Sequence, residues 1–158
     1  MKSTKNLKKE ADERKAFSSF ALAVGWPADE MNVSSRGKPE PDILFEQDSG
    51  NIAFELLSAT TEEFRQPINT GQLIYPNDLP LDQKLLKKIA TEYPSEFPIE
   101  LLIYRTLAFE TDVQILCKAQ DVFWNEGCGK FRRIWYCGDN GRIFLWHNNW
   151  WSELNVCA

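Results

Sequence analysis

The chain has 158 residues, 43% of them hydrophobic and 13% aromatic, which is enough to bury one real core but hardly two, so a single domain over 1–158 is expected. A formal charge of −5 excludes a global electrostatic pull toward nucleic acid while leaving room for a local basic patch. No run reaches membrane-spanning length, and the opening MKSTKNLKKEADERK lacks the apolar stretch of a secretory signal; a cytoplasmic protein with reduced thiols and no membrane partner is therefore expected.

In chain order, residues 1–6 read as a flexible lead-in to an amphipathic helix from about Leu7 to Val24, with Phe17, Phe20, Ala21 and Val24 on one face. Stepping that face back by threes and fours reaches Glu13 and Glu10, which places both acids over the inward stripe. The alternative is a solvated first turn, where acids are favoured by the helix dipole. After GWP the sequence SSRGKPEP is turn-rich and reads as a loop.

The stretch PDILFEQDSGNIAFELLSA, residues 41–59, has two apolar arms around a polar turn. A two-residue Ser49-Gly50 loop pairs Asp48 with Asn51, and so sets Leu44 opposite Glu55 and Asp42 opposite Leu57. Alternation then puts Asp42 and Glu55 on one face as diagonal neighbours, able to converge on a hard cation such as Mg²⁺. An odd loop length would send them to opposite faces. The alternative is a half-exposed hairpin with ordinary surface acids.

Residues 60–80, TTEEFRQPINTGQLIYPNDLP, make a connection longer than usual and are a candidate lid or partner loop, or a segment packing through Leu73, Ile74 and Tyr75. A helix follows with Leu85, Leu86, Ile89 and Tyr93 at helical spacing, then the apolar strand PIELLIYR, so that helix is a crossover between parallel strands. Next comes a helix over about Asp112 to Trp124, N-capped by Thr111, stopping near Gly127, with Val113, Leu116, Cys117 and Phe123 inward. FRRIWYCGDNGRIFLWH reads as a hairpin whose Asn140-Gly141 loop sets Trp135 opposite Trp146. In the tail, Trp150 and Trp151 either cap the core or anchor a protein partner. Four cysteines without CxxC spacing and one histidine do not suggest a zinc site.

Pro41-Asp42, Glu55 thirteen residues later and this element order together resemble the PD-(D/E)xK phosphodiesterase superfamily over about residues 7–147. The resemblance implies an α/β restriction-endonuclease-like fold, a mixed central sheet flanked by helices in the order α-β-β-α-β-α-β-β. It implies that Asp42 and Glu55 hold Mg²⁺, or Mn²⁺, with the Leu56 carbonyl as a further ligand and Glu13 or Glu10 completing the acidic shell. The family's lysine, two residues after the second acid, is replaced here by Leu57. Lys88 or Lys84 of the crossover helix can supply the cation instead, or these lysines are simply solvated. The function implied is a Mg²⁺-dependent nuclease acting on DNA or RNA. The alternative is a nuclease-fold protein that has lost catalysis and binds a protein partner, as an inhibitor or immunity-type protein does.

Overall fold

The computed structural model describes residues 4–59, 80–106 and 110–155. The connection expected at 60–80, with Leu73, Ile74 and Tyr75, lies outside the described residues except for Pro80, and Cys157 lies outside them too. The elements are α1 (Thr4–Val24), β1 (Val33–Ser35), β2 (Ile43–Phe45), β3 (Ile52–Ala59), α2 (Leu81–Ala90), β4 (Ile99–Arg105), α3 (Asp112–Glu126), β5 (Ile134–Cys137), β6 (Ile143–His147) and β7 (Trp150–Leu154). The seven strands form one mixed sheet in sequential order, with β3, β4 and β5 parallel and the outer pairs antiparallel. No described helix is long and apolar enough to cross a membrane.

Both faces of the sheet are covered. Phe17, Phe20 and Ala21 of α1 pack with Phe45, Phe54, Leu56, Leu102 and Trp135, whereas Leu85 of α2 and Ile115, Ala119 and Phe123 of α3 pack with Leu57, Leu101, Ile103 and Tyr136. Alternate residues of β3 and β4 thus enter opposite layers, which is why β4 reads as a nearly continuous apolar run. Trp26, just past α1, stacks on Phe45 at 5.8 Å and meets Phe20 and Trp135 edge-on, fixing the helix over the sheet.

Several expectations are corrected. The helix expected from about Leu7 begins at Thr4. β1 lies in the turn-rich stretch read as a loop, paired to β2. In the first hairpin the turn closes at Gln47 and Gly50 around Asp48-Ser49, with the Gly50 N–H donating to the Gln47 carbonyl at 3.0 Å. Gly50 has φ +131°, a conformation open to glycine, and Asn51 Oδ1 accepts the Gln47 N–H. Leu44 therefore pairs with Ala53 rather than Glu55. In the last hairpin a three-residue turn, Asp139–Gly141, with Asn140 and Gly141 both at positive φ, replaces the two-residue loop; Trp135 pairs with Leu145, and Trp146 with Ile134.

Helix α2 ends at Ala90, where Thr91 turns extended and bonds the Lys87 carbonyl through its hydroxyl, so Tyr93 lies beyond the helix, immediately before Pro94. In α3 the inward stripe is Ile115, Leu116, Ala119, Val122 and Phe123; Val113 and Cys117 are exposed. Thr111 caps this helix as expected, in a reciprocal box with Gln114. Asp112, buried at its first turn, accepts the Tyr136 hydroxyl at 2.7 Å and the Asp139 N–H, and Gly138 packs directly on it.

Candidate active-site cleft

The β2–β3 ladder stops at Ile43 and Phe54, and the next residues along each arm are Asp42 and Glu55. Carried one step further, the register sets these two acids directly opposite each other, a closer arrangement than the diagonal one expected. Where the ladder ends, side chains take over its bonding: Glu55 Oε1 accepts the Asp42 N–H at 3.2 Å and Asp42 Oδ2 accepts the Leu56 N–H at 2.9 Å. Each carboxylate is thereby fixed by the backbone of the other strand.

Glu13 reaches the pair from α1. It is 6% exposed, and its carboxyl is pushed up from 4.5 to about 8, first by burial and then by the neighbouring charge of Asp42, with Lys9 opposing in part. Glu55 is raised too, by burial and by Asp42, against the opposing effect of Lys88, whose ammonium donates to Glu55 Oε2. Lys84 donates to the Ser58 carbonyl at 3.2 Å. Lys88 and Lys84 thus both turn toward the sheet rather than into solvent. Glu10 is half-exposed and does not line the cleft.

These groups share a cleft of about 490 Å³ that also takes in Lys9, Lys38, Lys87, Tyr93 and Tyr104. Burial and the nearby acids, Glu13 foremost, push the Tyr104 phenol up to about 12; burial and Glu55 raise that of Tyr93. Lys9, Lys38 and Tyr104 are site residues that the sequence alone leaves unmarked. Tyr104 was within reach, because it has the same strand parity as Leu102 and so faces α1, the helix that carries Glu13. Lys9 follows from Glu13 by one helical turn.

The donor chemistry suits a hard divalent ion, since three carboxylates crowd together and two of them hold their protons unusually tightly. As the side chains stand, no group of three His, Cys, Asp or Glu among the described residues is arranged to hold one. Of the two Glu55 oxygens, Oε2 accepts from Lys88 and Oε1 from the Asp42 N–H.

Trp150 and Trp151 do not line this cleft. Trp151 meets Trp146 edge-on at 5.3 Å and donates to the Leu116 carbonyl, so it belongs to the core; Trp150 is 61% exposed. In comparisons with known proteins, no family model and no curated protein matches the chain.

Proposed function

We propose that the chain is a divergent member of the PD-(D/E)xK phosphodiesterase superfamily, with the restriction-endonuclease-like fold, and that it hydrolyses phosphodiester bonds in DNA or RNA with Mg²⁺ or Mn²⁺. The observation that carries this reading is the facing pair Asp42 and Glu55 at the open end of β2–β3, with buried Glu13 beside it and Lys88 on Glu55. Leu57, at the position of the family's lysine, is buried in the core, and the cation that reaches the second acid comes from α2 instead.

Asp42 and Glu55 would hold the ion, with the Leu56 carbonyl and Glu13 as further oxygen donors. Bound there, Mg²⁺ supplies a Lewis acid that polarises the phosphate and acidifies a water. Lys88 and Lys84 then offer ammonium donors to charge developing on the phosphate oxygens. Glu13, protonated near neutral pH, gives up its proton when the site gains positive charge. Lys9, Lys38 and Lys87 on the cleft wall offset the repulsion between the acids and a polyanionic substrate.

Calorimetric titration with Mg²⁺ and Mn²⁺, followed by incubation with single- and double-stranded DNA and RNA, tests this reading. Metal-dependent cleavage should vanish in Asp42→Ala and fall about a hundredfold or more in Lys88→Met. Absence of metal binding together with intact nucleic acid would refute it. A second reading, a nuclease fold that binds a protein partner without catalysis, is favoured by Trp124 and Trp150, 51% and 61% exposed, which the Trp124 Nε1 bond to the Asn149 carbonyl ties to one turn. In that case Trp150→Ala abolishes partner binding and Asp42→Ala leaves it intact.

A further inference from the structure

Away from the cleft, toward the N-terminal ends of β3 and β4, lies a groove of about 710 Å³ between the 47–52 turn, Phe97 and the paired Arg132 and Arg133. It shares no lining residue with the cleft. Behind the arginines Glu100 is fully buried, and its carboxylate holds both guanidinium groups: Arg132 through Nε at 3.0 Å and Nη2 at 2.5 Å, Arg133 through Nε at 2.9 Å and Nη2 at 2.8 Å, all on Oε2. Oε1 accepts the Trp135 indole N–H at 2.7 Å.

One carboxylate needs one cation for neutrality, and here two converge on a single oxygen. Holding two guanidinium groups so close costs like-charge repulsion and leaves a surplus positive charge on this cluster, which Asp48, across the groove, offsets in part. Backbone bonds hold both residues beside β4, and a ring contact adds to the hold on the Arg133 side chain. The Arg132 N–H donates to the Ile99 carbonyl, the Arg133 carbonyl accepts the Leu101 N–H, and the Arg133 guanidinium lies over the Trp135 ring at 5.4 Å. Each guanidinium spends one edge on Glu100, and among the described residues no hydrogen bond or ion pair engages its Nη1 group. Their side chains remain 47% and 39% exposed. A preorganised pair of planar donors with unspent N–H groups matches the geometry of a phosphate group.

We propose that Arg132 and Arg133 form a binding site for a phosphate group, separate from the carboxylate cleft. The phosphate is either inorganic or the monoester of a nucleotide, whose base Phe97 would flank. Isothermal titration of the wild-type chain with inorganic phosphate and with adenosine monophosphate at low ionic strength tests this. Saturable phosphate binding is expected, weakened about tenfold or more in Arg133→Gln. Because Arg133→Gln also removes a partner of buried Glu100, Asn51→Asp is the second variant: it keeps the oxygen that accepts the Gln47 N–H, adds negative charge to the groove and should weaken phosphate equally. Tighter binding of adenosine monophosphate, lost in Phe97→Ala, identifies the nucleotide as the source; equal affinity identifies the free anion. No saturable binding, or binding unchanged in both Asn51→Asp and Arg133→Gln, would overturn the assignment.

Discussion

Replacing Glu13 by glutamine should flatten the pH dependence of stability in the metal-free protein. The Glu13 carboxyl stands near 8 in the folded chain against 4.5 as an ordinary glutamate. Between those values the native state holds a proton that the unfolded chain has lost, so stability is full below about 4.5, falls as pH rises and levels off above about 8. At ~1.4 kcal/mol per pH unit the interval amounts to up to about 5 kcal/mol. Glutamine keeps the shape and a hydrogen-bonding group but cannot ionise, so Glu13→Gln should match the wild type at the acid end and exceed it by several kcal/mol at the alkaline end. Urea unfolding in the presence of a chelator, repeated across this range, measures the difference. Parallel profiles for the two proteins would refute the claim that Glu13 carries the buried proton. Adding Mg²⁺ provides a further check of the proposed chemistry, because an ion that displaces the proton should restore wild-type stability at the alkaline end far more than at the acid end.

Lys88→Met leaves the Glu55 carboxylate, whose side chain is 5% exposed, without its ammonium. It should cost about 3–5 kcal/mol at neutral pH and less under acid, where Glu55 protonates readily; equal losses in denaturant at both pH values would contradict the ion pair's role. Gly138→Ala puts a methyl 2.5 Å from Asp112 Oδ1 and forces that carboxylate away from Tyr136, with an expected loss of about 1–3 kcal/mol and a changed near-ultraviolet signal from Tyr136. Thr111→Ala removes one half of the capping box of α3 and should cost about 1 kcal/mol in thermal unfolding; no loss would mean that the box does not hold the helix start.

What the sequence disclosed follows the strength of its local signals. Thr111 and Gly127 bracket α3 because a cap and a stop are encoded in single residues. The apolar run of β4 announces a buried strand, whereas the burial of β3 on both faces shows only in the packing. The inward face of α3 was harder to read: Val113 and Cys117 are apolar by composition yet exposed, and only the packing against β4 and β5 selects Ile115 and Ala119 instead. β1 is three residues long, and Ser34 and Ser35 give no alternation of apolar and polar residues; its pairing with β2 defines it. Tyr93 continues the helical spacing of α2, but Pro94 disfavours helix at that position, and the chain has already left the helix at Thr91.

The two hairpins show why one shift of a turn keeps side chains on their faces while another exchanges them. In the first, the turn sits one residue earlier than expected and the paired positions shift by two, from Leu44 opposite Glu55 to Leu44 opposite Ala53. A shift of two preserves the side-chain face, so Asp42 and Glu55 stay together and move from diagonal to facing. In the second, the extra turn residue shifts the pairing by one, an odd step that changes faces: Trp135 joins the α1 layer and Trp146 the α3 layer. The acid pair therefore depends on the parity of the turn and not on its exact place. Lys88 is not subject to that parity, because it arrives from the crossover helix itself, and only the packing of α2 on β3 brings it to Glu55.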